Sequence, residues 1–202
     1  MFPPSGRSHS SFVGIPALAA LFLAALLLAG SADAALRRDV GALQERTPDA
    51  GRRAAGIASA GDLELDLLRQ LNVLRARYRM RPLRRSPALA AAARFHSRAM
   101  AQGGFFGHSS ADGTPFNMRV ERFYLRPRWW REYVVGENLV RGSHDLAAST
   151  VLRLWLSSPP HRRNLLGKWR EVGFGAVRAT GAPGAFGGER VAIVTADFGM
   201  RR

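Results

Sequence analysis

Residues 155–166 read WLSSPPHRRNLL, and the order of elements on either side follows from this stretch. Trp155 closes an apolar run at helical spacing from about Asp145 to Ser157, with Ala147, Val151, Leu154 and Trp155 facing inward. The pair Pro159-Pro160 breaks that helix, because proline lacks the amide hydrogen and clashes with the preceding turn. Ser158 is placed to cap a new short helix begun by Pro159, so His161 falls in its first turn. Beyond it the period changes from helical to alternating. Val172–Val177 and Val191–Phe198 are short, glycine-bounded and strand-like, joined by a glycine-rich stretch from Thr180 to Gly188.

Upstream, the elements are helical. Leu65, Leu68, Leu71, Leu74 and Tyr78 recur on one side of an amphipathic helix that begins near Gly61. Asp62, Glu64 and Asp66 lie in its first turn and Arg75, Arg77 and Arg79 near its end, each sign where the helix dipole favours it. The Arg81-Pro82 step stops it. Ser86-Pro87 is a start signal for a second helix, which carries Leu89, Ala92, Ala93, His96, Ala99 and Met100 on one face and ends at Gly103-Gly104. Thr114-Pro115 opens a third, short helix through Phe116, Val120 and Phe123. Helices first and strands last predict an α+β fold, an antiparallel sheet covered by helices.

The amino-terminal third has another character. Residues 12–30 read FVGIPALAALFLAALLLAG, Arg7 precedes them, and Ala32-Asp33-Ala34 follows in the pattern of a signal-peptide cleavage site. Residues 1–34 are therefore expected to be an export signal cleaved after Ala34, giving a secreted, periplasmic or extracellular protein. The alternative is an uncleaved anchor, since the run approaches the roughly 20 residues that span a bilayer. Residues 35–61, rich in arginine, alanine and glycine, are expected to be a linker, and residues 62–199 the domain. The chain has no cysteine, which excludes a disulfide framework and a thiolate metal site. Its formal charge of +15 is carried almost wholly by arginine, with Lys168 the only lysine. That balance favours anionic partners such as lipid head groups or acidic wall polymers. The arginines form no dense block, there is no nucleic-acid-binding motif, and specific nucleic-acid binding is not expected.

Four segments stand in order: FGHSSADG at 106–113, GENL at 136–139, WLSSPPHRRNLL at 155–166, and the glycine-flanked phenylalanines Gly173-Phe174-Gly175 and Asp197-Phe198-Gly199. Together they resemble the CAP superfamily of cysteine-rich secretory, antigen-5 and pathogenesis-related proteins, in particular its bacterial SCP-like extracellular branch. The resemblance runs from about Asp62 to Gly199. It implies an α-β-α sandwich with a groove lined by two histidines and one or two acidic groups. By motif these are His108, His161 and Glu137, with Asn138 and Ser158 beside them. The family's other acidic position, three residues after the tryptophan, is Ser158 here, so that carboxylate is missing. Between Val120 and Gly136 stands an aromatic and basic insertion, including Arg128, Trp129, Trp130 and Arg131, and Asp197 stands where many relatives carry glutamine. Asp197 is expected to be an exposed strand-end carboxylate.

Neutral imidazole and carboxylate suit a divalent cation such as zinc, so His108, His161 and Glu137 are the candidate metal ligands, for a weakly bound ion and with no cofactor required. The positive end of the short helix disfavours imidazolium, so His161 is expected to be neutral near pH 7. Glu137 is either a third ligand or the partner that fixes a ring tautomer. His96 reads as a satisfied core histidine and His144 as an exposed loop residue. Two functions follow. The first is an extracellular binding module for a lipid, wall fragment or protein, with Trp129 and Trp130 flanked by Arg128 and Arg131 at a membrane interface. The second is a metal-dependent hydrolase, peptidase-like, using the same groove. No serine-hydrolase elbow of the G-x-S-x-G type is present.

Overall fold

A computed structural model describes residues 56–125 and 133–201 of the chain. The expected signal segment and the Arg128–Arg131 cluster lie outside the described residues. In chain order the elements are β1 (Gly56–Ser59), α1 (Gly61–Arg77), β2 (Arg84–Arg85), α2 (Pro87–Gly103), α3 (Phe116–Glu121), β3 (Tyr133–Ser143), α4 (Ala148–Ser157), α5 (Pro159–Leu165), β4 (Glu171–Thr180) and β5 (Val191–Arg201). The sheet order is β1-β4-β5-β3, antiparallel throughout, with the two-residue β2 added in parallel to the start of β4. Strand β1 falls inside the stretch expected to be a linker: Gly56–Ser59 pair antiparallel with Val177–Thr180, Gly56 opposite Thr180 and Ser59 opposite Val177. Alanine- and glycine-rich residues gave no period to read there, and the pairing comes from the free edge of β4.

Helices cover both faces. On one, Leu63, Leu67 and Leu71 of α1 and Val151, Leu152 and Trp155 of α4 pack on Val172, Phe174, Val194 and Phe198. On the other lies α2, with Met100 and Ala101 against Val177 and Ile193 and Leu89 and Ala92 against Val120 and Tyr124. Helix α2 begins as expected, with Ser86 Oγ accepting from the Leu89 amide, and ends on Gly104 in the left-handed conformation.

The inward face of α1 differs from the predicted one. Leu65 is 61% exposed and Tyr78 45%, while the buried stripe is Leu63, Glu64, Leu67, Leu71 and Arg75. Periodicity put the charged residues outside, yet both are satisfied within the fold. Glu64 accepts from the Ala176 amide at 3.1 Å and pairs with Arg94. Arg75 donates to the carbonyls of Arg81, Leu165 and Gly167. In α4, Leu154 is likewise outward and Leu152 takes its place in the core. Glu64→Ala strips a buried strand amide of its acceptor and is expected to cost about 2–3 kcal/mol in urea unfolding. A loss within about 0.5 kcal/mol, the range of an ordinary surface change, would contradict that role.

Candidate functional site

The site is built where the α2 face of the sheet meets the loop after α2. Strand β3 alternates, so Glu137 and Leu139 face α2 while Gly136 and Asn138 face α5. Glu137 stands directly opposite Asp197 of β5. His108, in the loop between α2 and α3, offers Nδ1 to Glu137 Oε1 at 2.8 Å. Arg119 of α3 is fully buried; it donates to Glu137 Oε2 and, at 2.8 Å, to the His108 carbonyl. One guanidinium thus holds both the carboxylate and the loop that carries the imidazole. A carboxylate paired with arginine can only accept, so Nδ1 carries the proton of the His108 ring. Nε2 is left as the outward-facing nitrogen of a side chain that is 54% exposed, above a Glu137 side chain that is 1% exposed.

Behind this pair lies a buried polar cluster. His96 gives Nε2 to the Gly107 carbonyl at 2.8 Å, and Ser97 bonds Thr195 Oγ1 and the Gly175 carbonyl. Among the described residues, the buried side-chain atoms without a hydrogen-bond partner are His96 Nδ1, Arg119 Nε and both carboxyl oxygens of Asp197, all of them in this cluster. His96 is therefore a core histidine satisfied at one nitrogen only. Burial pushes its imidazole below the usual value, which keeps it neutral.

Asp197 overturns its expectation: it is fully buried, in the middle of a paired strand. Two carboxyls facing one guanidinium cannot both ionise at acceptable cost. Burial first, and the Glu137 carboxylate second, push the Asp197 carboxyl well above the usual range. As an acid it can donate to Glu137, which as a carboxylate it cannot. The signal was present in the sequence: Ile193, Thr195 and Asp197 alternate on one strand face, and Ile193 is core. Arg119 was legible in the same way, beside Val120 on the inner side of its helix.

The unfolded chain ionises Asp197 near pH ~4, whereas the native state keeps its proton to higher pH. The native state therefore binds more protons in that interval, and this group weakens the fold as pH rises from about 4 toward neutrality. Asp197→Asn removes the dependence and keeps a donor toward Glu137. Urea unfolding is expected to find the variant equal to the parent near pH ~4 and more stable than it at about pH 7. A parent that is the more stable at neutral pH would mean that the native carboxyl is ionised.

His161 sits at the third position of α5 and is partly buried. Its imidazole is held below the usual value by burial and then by the charge of the His108 ring, so the two rings lie within electrostatic reach of each other. Neutral His161 was expected from the helix terminus; burial is the larger cause. Ser158 occupies the N-cap position of α5, but its side chain makes no capping bond. Asn138 is fully buried and does not line a surface. Its amide donates to the His161 carbonyl at 3.0 Å, and Asn164 donates to the Glu137 carbonyl and to Asn138 Oδ1. The two asparagines fasten α5, which carries His161, to β3. His144 is partly buried, with Nδ1 accepting from Arg190 at 3.5 Å.

The donor set does not fit a cation held jointly by His108, His161 and Glu137. Both Glu137 oxygens are engaged, one by His108 and one by Arg119. Among the described residues no three His, Cys, Asp or Glu side chains are grouped to hold an ion. Glu137 instead takes the second of its two expected parts, orienting a ring from behind.

The model of the family described as "CAP: Cysteine-rich secretory protein family" matches residues 68–195. A sequence comparison with curated proteins finds no match. Among solved structures, the chain is similar to an extracellular protein of Bacillus anthracis containing an SCP domain, at a TM-score of 0.53 and 22% identity over 68% of this chain and 40% of that one. It is also similar to an outer surface protein of Borrelia burgdorferi, at a TM-score of 0.57 and 18% identity over 72% of this chain and 98% of that one. The chain spans well under half the length of the Bacillus protein. At these identities the likeness is one of fold.

Proposed function

This chain belongs to the cysteine-rich secretory protein family, and from that premise we propose that it works outside the cell as a binding module whose ligand meets the imidazoles of His108 and His161. The observation that carries this reading is the commitment of Glu137: its carboxylate is spent on Arg119 and on the His108 ring, and what faces outward is His108 Nε2. A fixed ring nitrogen with a free lone pair accepts hydroxyl or amide donors, the groups that glycan, peptide and lipid head groups of an envelope present. The net charge of +15 draws such anionic surfaces close. Export rests on the apolar segment at residues 12–30 and its Ala32-Asp33-Ala34 site. Among the described residues no helix is long and apolar enough to cross a membrane.

Co-sedimentation of the purified chain with isolated cell-wall polymer and with anionic phospholipid vesicles tests the reading. His108→Ala with His161→Ala is expected to weaken binding at least about fivefold to one of the two, roughly one good hydrogen bond's worth. Undiminished binding of the double variant to both materials would remove the imidazoles from recognition.

The electrostatic coupling of the His161 and His108 rings also favours a second reading, a hydrolase that recruits zinc through the histidines alone. Calorimetry with zinc is expected to give no heat beyond that of the double variant. Zinc-dependent peptide turnover abolished by either single substitution would favour the hydrolase instead.

A further inference from the structure

A concavity of about 780 Å³ lies between the end of α1, residues 80–84 and the turn that leads into β4. Its apolar lining is Met80, Pro82, Trp169 and Met200. Trp169 stacks on Phe198, a core residue of the α1 face, whereas Glu137 and His108 belong to the α2 face. The rest of the lining is cationic: Arg81, Arg84, Lys168 and Arg170, all exposed, and Arg75, which is 1% exposed. Among the described residues no acidic side chain lines the groove.

Arg75 is the unusual member. Its Nε and Nη1 donate to three backbone carbonyls, at 2.9 Å to Arg81, 2.7 Å to Leu165 and 3.1 Å to Gly167, while Nη2 takes part in none of these bonds. Carbonyl dipoles solvate a guanidinium but do not neutralise it, and among the described residues no carboxylate pairs with it. A buried cation without a counter-charge costs several kcal/mol, and an anion entering from solvent repays that cost. Four further cations at the rim strengthen the field inside the groove, where water is partly excluded. The volume is that of a drug-sized molecule, and an apolar floor of a ring, a proline and two flexible thioethers gives an uncharged part of such a molecule somewhere to lie.

We propose that this groove binds a monomeric anionic amphiphile, a single phosphate or carboxylate head on an apolar body, with the head among Arg75, Arg84 and Arg170 and the body along Met80, Pro82 and Trp169. Its lining does not include His108, Glu137 or His161, and the proposal goes beyond the reading given above. Charge complementarity selects the head and the lining selects the body, so both parts of the ligand are required.

Isothermal calorimetry of the purified chain with dodecyl phosphate, kept below its aggregation concentration, tests this. One molecule per chain is expected to bind, at least about tenfold more tightly than inorganic phosphate, which lacks the body, and than dodecyl maltoside, which lacks the charge. Arg84→Ala with Arg170→Ala, both exposed side chains, is expected to weaken binding about tenfold or more with the thermal midpoint unchanged. Arg69→Ala with Arg153→Ala, in the separate groove of about 480 Å³ between α1 and α4, is expected to leave it within about twofold, as is His108→Ala with His161→Ala. Binding that survives the Arg84 and Arg170 change, that falls with the Arg69 and Arg153 change, or that inorganic phosphate or the maltoside matches would overturn the proposal.

Discussion

Gly175→Ala is expected to leave little folded protein at ambient temperature, with a loss of at least about 3 kcal/mol in urea unfolding. A methyl group on Gly175 would stand 2.1 Å from the Arg94 amide nitrogen and 2.2 Å from the Ala93 carbonyl carbon. Gly173 is in the same position one pleat earlier, at 2.0 Å from the Ala90 amide nitrogen and 2.2 Å from the Leu89 carbonyl carbon. Both contacts are with helix backbone, which cannot rotate aside as a side chain can. The only relief is to lift α2 from the sheet, and α2 carries His96 and Ser97 and ends in the loop of His108. Overpacking a core costs about 1–3 kcal/mol where side chains can give, and more where they cannot. Gly181→Ala serves as the comparison, since nothing lies within 4 Å there; its cost comes from a φ of +71° alone. If Gly175→Ala proved no worse than a surface substitution, the close seating of α2 on β4 would be wrong.

Arg119→Met is expected to cost about 3–5 kcal/mol, the usual penalty for removing one partner of a buried ion pair. Methionine fills much of the arginine volume, so the loss reports charge more than packing. Glu137 would be left buried beside the Asp197 carboxyl with no cation, and the His108 carbonyl would lose its donor. The variant separates stability from orientation, because Asp197→Asn made in the Arg119→Met background relieves part of the crowding. Asp197→Asn is expected to stabilise the Arg119→Met variant by at least about 1 kcal/mol more than it stabilises the parent, the coupling typical of groups in one network. Strict additivity of the two changes would show that Arg119 and Asp197 do not share Glu137.

Both expectations bear on what can be read from residues alone. Helix boundaries marked by local chemistry were legible: Ser86-Pro87 opens α2, Gly104 closes it, and Pro159-Pro160 divides α4 from α5. The spaced glycines of Gly173-Phe174-Gly175 marked a strand, but their purpose, admitting a helix backbone to within van der Waals contact, needed the partner helix in place. Charged residues were misplaced most often. Glu64, Arg75, Arg119 and Asp197 were read as solvated or left unread, and all four are buried. Periodicity assigns charge to the outside by default, and it errs wherever a distant amide, carbonyl or guanidinium completes the group. The hydrogen bonds that order the residues suggested by motif were not legible. His108 leans on Glu137, Glu137 on Arg119, and His161 is set by the asparagines of β3 and α5. None of those couplings is visible in sequence spacing, since they join residues 18 to 29 positions apart.

Nitrogen-15 NMR of the histidine rings in mildly alkaline solution reads the arrangement most directly. With Glu137 holding the ring from behind, His108 should show a protonated Nδ1 and a bare Nε2, a preference that Glu137→Gln weakens, and one equivalent of zinc should leave the Glu137 carboxylate on Arg119. A His108 ring found with its proton on Nε2, or zinc moving His108, His161 and the Glu137 carboxylate together, would contradict it.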